Sequence, residues 1–214
     1  MTTRTSKTSA RDALDRLREG NQRFAAHANN AQGFALQSRG IDLNASQNPL
    51  AIILGCSDAR VPAEIVFDQG LGDLFVIRVA GNIVAPSQIG SVEFAAERFG
   101  TRLVVVLGHS QCGAILATLE ELQRPTGNQS RNLQAIVDRV RPSVEGLLDT
   151  ELARDPVELV KRAVRAHIRA SADHLRHGSQ VLEQLIRSDQ LLVVGAEYSL
   201  ETGVVDFFDG VPGS

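Results

Sequence analysis

The residues best suited to chemistry in this sequence are its two cysteines and one nearby histidine. Cys56 follows the apolar run 50–54, and His109 and Cys112 follow the apolar run 103–107. If these runs are adjacent strands of a parallel sheet, their carboxyl ends meet at one edge and bring the three side chains together. Two thiolates and an imidazole are three ligands for Zn²⁺, with a fourth tetrahedral position left for water, hydroxide or a carboxylate. This ligand set is typical of a catalytic zinc, because structural sites are normally closed by four protein ligands.

Two charged residues follow the first cysteine closely. Asp58 is the nearest candidate to occupy or adjoin the fourth zinc position, and Arg60 is placed to pair with it. A zinc ion lowers the pKa of a bound water from 15.7 toward about 7, which makes hydroxide available near neutral pH. A small apolar pocket beside it would accept carbon dioxide. Attack of the hydroxide on its carbon would give bicarbonate, whose developing negative charge needs hydrogen-bond donors. The backbone N–H of Gly113, at the start of a helix, could be one of them.

The two segments that carry these residues resemble the two signatures of the β-class carbonic anhydrases. They read Cys-Ser-Asp-Ala-Arg-Val at 56–61 and Gly-His-Ser-Gln-Cys-Gly at 108–113. The similarity extends over about 10–210 and includes 62–64, 72–78, 80–82, 90–94 and an N-terminal helix around 12–24. It implies a fold and an activity: a mostly parallel sheet flanked by helices, an N-terminal arm that packs on a partner subunit, and reversible hydration of carbon dioxide by attack of zinc-bound hydroxide.

The resemblance also assigns roles to single positions. It implies that Cys56, His109 and Cys112 bind one Zn²⁺ per chain and that Asp58 and Arg60 form the dyad beside it. In the family the aspartate either accepts a hydrogen bond from the zinc-bound water while the arginine holds it, or swings onto the metal. Asp58 would therefore be a metal ligand only in that closed state.

Further positions of this resemblance concern the substrate pocket. Gln47 matches a glutamine that reaches the substrate across a dimer interface, and Phe75 and Phe94 match apolar pocket walls. We therefore expect a homodimer as the minimum unit, with a tetramer as an alternative. Arg78 and Tyr198 match two of three residues of a regulatory bicarbonate site, but Ile53 stands where the family has tryptophan, which argues against that regulation.

Other readings of the same residues remain open at this point. A related zinc enzyme could hydrolyse COS or CS₂, and a thiol enzyme or redox switch could use Cys56, Cys112 and His109. A zinc-independent hydrolase could use Ser110, which stands between a strand and a helix as the serine of a G-x-S-x-G nucleophile elbow does. The last position of that motif is cysteine here instead of glycine, which argues against this alternative. Zinc content separates the metal enzymes from the others.

The elements that must position the site alternate between strand and helix. Apolar runs at 50–54, 74–79, 103–107 and 191–195 are of the continuous type expected for strands buried on both faces. Helical spacing occurs at 10–27, 88–99, 113–122, 131–148 and 156–187, an extended arm is expected at 29–49, and 203–208 could form an edge strand. This order predicts an α/β fold with right-handed crossovers.

Length and composition agree with one such domain over 1–214, in which residues 1–9 are expected to form a disordered tail. The chain is 43% hydrophobic and has a net charge of −3, which gives no general attraction to nucleic acid or to anionic membranes. Two cysteines are too few for a disulfide framework or a four-thiolate metal site, and no apolar run approaches the roughly 20 residues that span a bilayer. We expect a cytoplasmic enzyme whose partners are a small molecule and further copies of itself.

Three histidines in the long helical stretch suggest a second metal site as a hypothesis. His167, His174 and His177 lie in an arginine-rich segment. Because such a segment is typical of a solvated or subunit-facing basic surface, we expect that environment for all three. Gly81, by contrast, is expected to allow close backbone approach beside the metal.

Overall fold

The computed structural model describes residues 8–28, 47–125, 127 and 130–213. Its strands are β1 (Ala51–Gly55), β2 (Leu74–Arg78), β3 (Leu103–His109), β4 (Leu192–Tyr198) and β5 (Val205–Asp209). Its helices are α1 (Ala10–Ala28), α2 (Ala63–Val66), α3 (Pro86–Arg98), α4 (Gly113–Gln123), α5 (Arg131–Val144), α6 (Pro156–His177) and α7 (Gln180–Arg187). Residues 1–7 of the expected tail and 29–46 of the expected arm lie outside the described residues.

The strands form one mostly parallel sheet, as the alternation of strand and helix predicts. Their order is β2-β1-β3-β4-β5, and β5 pairs antiparallel with β4 at the edge. The arrangement that matters for chemistry is the direct parallel pairing of β1 with β3, in which Gly55 lies opposite Leu107. The residues that follow Gly55 and Leu107 therefore leave the sheet side by side.

Alternate side chains of the central strands enter two apolar cores, one on each face of the sheet. Ile52 and Leu54 of β1 pack with α3 to α7, whereas Ile53 packs on the other face with α1 and α2. Every residue of β1 and β3 is buried. Burial on both faces explains why these strands read as continuous apolar runs.

The N-terminal helix α1 packs on its own chain. Ala13, Leu14 and Leu17 are buried in the same core as Ile53. Asn21 fastens the helix further, because its amide donates to the carbonyl oxygens of Val66 and Gly203. Packing of α1 on a partner subunit, expected from the resemblance, stays a prediction.

The expected helix at 156–187 is wrong in one respect, because it is two helices. α6 ends at His177, Gly178 follows, and the hydroxyl of Ser179 caps α7 by accepting from the backbone N–H of Leu182. An N-cap serine satisfies a free amide at a helix start, so it marks the beginning of a new helix. Similarly, the helix expected at 131–148 ends at Val144 and continues as a 3₁₀ turn at Glu145–Asp149.

Across the described residues, none of the helices combines the length and the apolarity that crossing a membrane requires.

Candidate metal centre

The structure brings together the three side chains that the sequence singles out. Cys56 directly follows β1, His109 is the last residue of β3, and Cys112 is the N-cap of α4. Their ligand atoms lie within 4.8 Å of one another, and all three residues are buried. The two sulfur atoms are 4.0 Å apart, so they are free thiols and not a disulfide.

The histidine is oriented toward the two sulfur atoms. Its Nδ1 lies 2.9 Å from the carbonyl oxygen of Ser110, so Nδ1 carries the proton and donates. Its Nε2 is therefore an acceptor, and it is buried without a hydrogen-bond partner among the described residues. One imidazole nitrogen and two thiol sulfurs form a donor set that is usual for zinc, and the hydrogen bond at Nδ1 holds the imidazole in the tautomer that leaves Nε2 free to bind. These residues therefore fit Zn²⁺.

Proximity perturbs the ionisation of all three groups. The contact with Cys112 lowers the pKa of the Cys56 thiol to about 4, against the opposing effect of burial. The same contact, together with burial, raises the pKa of the Cys112 thiol. Burial disfavours the charged form of His109, but its contact with Cys56 outweighs this and raises its pKa. Without a cation the cluster thus retains protons, which metal binding would have to displace.

Asp58 and Arg60 form the expected pair beside the cluster. The guanidinium donates from Nε to Oδ1 at 2.9 Å and from Nη2 to Oδ2 at 2.8 Å, and the backbone N–H of Arg60 adds a third bond of 3.0 Å. These bonds hold the pKa of the Asp58 carboxyl well below its usual range. Oδ2 also lies 3.9 Å from Nε2 of His109. The carboxylate is therefore ionised, bound to arginine and next to the metal ligands.

A second arginine holds the backbone of this loop, which sequence reasoning missed. Arg78 donates from Nε to the carbonyl oxygen of Cys56 at 3.0 Å and from Nη2 to that of Asp58 at 2.6 Å. The resemblance linked Arg78 and Tyr198 to a regulatory site, and nothing in the sequence indicated that Arg78 meets these two carbonyl oxygens. Tyr198 is buried, and its ring lies 6.2 Å from that of Phe24.

The expected close approach at Gly81 is confirmed. Gly81 has φ 67°, and its backbone N–H donates to Sγ of Cys56 at 3.4 Å. A Cβ at this position would lie 2.9 Å from Cβ of Ala114 in α4. Only glycine combines this left-handed conformation with the narrow space.

The start of α4 faces the same region. Gly113 is the exposed first residue of α4, and its N-cap residue, Cys112, makes no side-chain hydrogen bond to the helix start among the described residues. The free N–H groups of a helix start suit a developing anion.

The three remaining expected pocket residues lie away from the cluster in this chain. Gln47 is exposed and precedes the amino end of β1, whereas Cys56 follows its carboxyl end. Phe75 pairs with Ile52 in the sheet, and its ring lies 6.3 Å from that of Phe94. Phe94 is 53% exposed. A pocket role for these residues stays a prediction.

The expectation of a solvated surface is wrong for His167. Its side chain is 3% exposed, whereas His174 and His177 are exposed as expected. The helical period puts His167 on the face of α6 that packs in the core, together with Val164 and Ile168. The arginine-rich composition of the segment concealed this difference.

The hydroxyl of Ser110 is engaged in structure and not prepared for attack. It donates to Glu201 Oε2 at 2.8 Å and accepts from the backbone N–H of Leu200. Gln111 donates to the other oxygen of Glu201 at 2.6 Å. These bonds fasten the loop that carries His109 and Cys112 to the turn before β5, a function of Glu201 that no sequence signal indicates.

Comparison with known proteins adds independent evidence. A family model described as carbonic anhydrase matches residues 51–205. Carbonic anhydrase 2 of Mycobacterium tuberculosis is 39% identical over 189 residues, which cover 87% of this chain and 87% of that protein. A carbonic anhydrase of Mycolicibacterium smegmatis is 37% identical over 198 residues, or 89% of each chain. Among solved structures, the β-carbonic anhydrase CafA of Aspergillus fumigatus superposes with a TM-score of 0.68 at 26% identity, covering 77% of both chains.

Proposed function

Because this chain belongs to the β-carbonic anhydrase family, we propose that Cys56, His109 and Cys112 hold the zinc of a carbon dioxide hydratase. The activity is the reversible hydration of carbon dioxide to bicarbonate and a proton, and zinc is the cofactor. One observation supports this ligand assignment above the others: among the described residues Nε2 of His109 has no hydrogen-bond partner, and it is buried and faces two thiols beside an ionised carboxylate.

The metal, when bound, supplies a hydroxide nucleophile near neutral pH by lowering the pKa of a water. Asp58, which is ionised and lies beside the metal ligands, would accept a hydrogen bond from the nucleophile and so orient it toward the carbon of the substrate. Arg60 keeps the carboxylate ionised and fixed through two side-chain bonds. Arg78 keeps the backbone of the same loop in place.

The product carries a negative charge that its precursor lacks. We assign its stabilisation to the backbone N–H of Gly113 and to the amide of Gln47, since both are donors suited to a carboxylate-like oxygen. Gln47 is at the opposite end of β1 from Cys56, on the order of 15 Å away at the usual strand rise. It can serve a metal centre only if that centre belongs to another subunit.

The distance between Gln47 and Cys56 within one chain bears on how the subunits assemble. We propose a symmetric homodimer in which each subunit lends Gln47 to the other, with Phe75 and Phe94 as apolar walls of the shared pocket. The half-exposed Phe94 supports this, because exposed aromatic surface is typical of interfaces. We also propose a cytoplasmic location, where a reducing environment keeps two ligating thiols free.

The test is carbon dioxide hydration, followed by stopped flow, on protein of known zinc content. We expect activity in proportion to zinc, loss on treatment with a strong chelator, and recovery when zinc is returned. The Cys112→Ser variant should lose both zinc and activity, while Ser57→Ala, an exposed neighbour of Cys56, should keep both. Activity that survives complete zinc removal but is abolished by thiol alkylation would instead support a thiol enzyme.

A further inference from the structure

His167 is a buried polar residue for which the reaction has no evident use. It lies in the middle of α6, and its Nε2 is 2.8 Å from the carbonyl oxygen of Gly81. Since a carbonyl oxygen can only accept, Nε2 carries the proton and donates. The ring therefore links α6 to the segment that runs along the metal centre.

The other ring nitrogen is consistent with this tautomer. Nδ1 lies 3.0 Å from the hydroxyl oxygen of Ser143 in α5, and as an acceptor it can receive a hydrogen bond from that hydroxyl. That hydroxyl also lies 2.6 Å from the carbonyl oxygen of Val140, so one proton serves two acceptors. Burial lowers the pKa of His167 to about 4, so the ring is neutral at physiological pH.

Gly81 transmits the contact to a metal ligand. Its carbonyl accepts from His167, while its N–H donates to Sγ of Cys56 at 3.4 Å. The left-handed φ of 67° and the closeness of Ala114 restrict other ways of placing this residue. A change in the position of the carbonyl would therefore move the N–H as well.

We propose that His167 is a positioning residue for the metal centre, which acts by holding Gly81 so that its N–H stays on the Cys56 sulfur. The proposal rests on zinc ligation by Cys56. An N–H donor withdraws charge from a thiolate, fixes its lone pairs and thereby tunes the bond that the thiolate forms with a metal. His167 touches neither substrate nor metal and acts only through the Gly81 backbone.

Two substitutions separate the hydrogen bond from simple packing. His167→Leu removes the donor, whereas His167→Gln retains an amide N–H that can reach the Gly81 carbonyl. Leu175→Ala serves as the matched control, because it removes a fully buried side chain of α6 two turns farther on. Zinc affinity is measured by competition with a chelator, and the thiolate-to-cobalt charge-transfer band is recorded in the Co²⁺-substituted enzyme.

We expect His167→Leu to weaken zinc binding by about 10- to 100-fold, the range usual for groups that support metal ligands. The charge-transfer band should move to lower energy, because a thiolate without its N–H donor gives up an electron more easily. His167→Gln should restore most of both properties, and Leu175→Ala should leave the band in place. Zinc affinity within twofold of wild type in His167→Leu, or an equal band shift in Leu175→Ala, would overturn the proposal.

A measurement on the wild-type enzyme covers the case in which His167→Leu does not fold. In ¹⁵N-labelled, ¹¹³Cd-substituted protein, a hydrogen bond to a ligating sulfur should give a scalar coupling between ¹¹³Cd and the amide proton of Gly81. Absence of this coupling would refute the contact itself. The two proposals fail differently: wild-type protein that binds no metal refutes ligation by Cys56, while normal metal binding without the coupling refutes only the role of His167.

Discussion

Asp58 is the residue whose charge most clearly serves the reaction. Its carboxylate is bound by Arg60 through both oxygens and lies 3.9 Å from the imidazole of the metal centre. Asp58→Asn retains the size of the side chain but removes the charge and the second acceptor. We expect kcat/KM to fall by about 100-fold or more, as is usual when a group that orients the reactants is lost, with zinc content unchanged.

The measurement is stopped-flow hydration together with metal analysis of the same sample. Asp73→Asn makes the same chemical change in an exposed ion pair with Arg16 and should leave kcat/KM within about twofold of wild type. Loss of zinc from Asp58→Asn would contradict the role given to Asp58, because it would make the carboxylate a required metal ligand.

The ligands could be predicted from the sequence because local pattern and sheet geometry suffice. Cys56 directly follows one continuous apolar strand and His109 ends another, and parallel neighbours bring such ends together. The supporting residues could not be found in this way. Arg78 and His167 act through backbone carbonyls far away in sequence, and nothing in their own segments indicates which carbonyl they meet.

At the level of elements, the close contact between α1 and the segment after α2 depends on Gly20. A Cβ on Gly20 would lie 1.9 Å from the carbonyl oxygen of Phe67, which is far inside contact distance. In an exposed helix, glycine to alanine is favourable by about 1 kcal/mol. Here we expect the opposite sign: Gly20→Ala should destabilise the protein by about 1–3 kcal/mol, because α1 must move away from the core.

Urea unfolding of the intact protein measures this effect. Glu19→Ala, a change at the exposed adjacent position, should remain within about 0.5 kcal/mol of wild type. A stabilised Gly20→Ala variant would mean that α1 does not pack against its own chain as described, which would favour exchange of this helix between subunits.

The strands were easier to predict than the helices for a physical reason. A strand that is buried on both faces, such as β3, is a short and continuous apolar run. The composition of that run is enough to predict the strand. The long stretch at 156–187 has helical periodicity throughout. Its interruption depends on Ser179, whose hydroxyl caps α7 and also donates to Glu93 of α3, a contact that only the folded chain defines.

Helix α6 should also make stability depend on pH through His167. Burial lowers the pKa of His167 from 6.5 to about 4, so the unfolded chain binds its proton more readily. The stability from this group is therefore complete above about pH 6.5 and is lost as pH falls toward 4. Between pH 7 and pH 5 the loss should be about 2 kcal/mol.

The comparison that isolates this group is wild type against His167→Gln, unfolded in urea at both pH values and at one free zinc concentration. Glutamine does not titrate, so the difference in unfolding free energy between the two proteins should shrink by about 2 kcal/mol at pH 5. A difference that stays constant would show that His167 is not kept neutral by burial.

For the whole molecule, the central expectation is that one chain does not complete its own active site. Gln47 and Cys56 lie at opposite ends of β1, and a buried strand cannot bend to join them. If Gln47 serves a partner's metal centre, Gln47→Ala should lower kcat/KM while zinc content and the oligomeric state remain unchanged. An effect on zinc content would instead place Gln47 among the residues that support the ligands.

Mixed assemblies test the exchange of Gln47 directly. A Gln47→Ala subunit retains its metal centre but contributes no glutamine to the metal centre of its partner. A Cys56→Ser subunit lacks the metal centre but still contributes Gln47 to its partner. In a heterodimer of the two, the metal centre of the first receives the glutamine of the second, so one complete site forms from two defective chains. Random mixing makes about half of the dimers mixed, and each has one of two sites complete, so activity should recover to about one quarter of wild type. If Gln47 acted within its own chain, the mixture would show only the mean of the two parents.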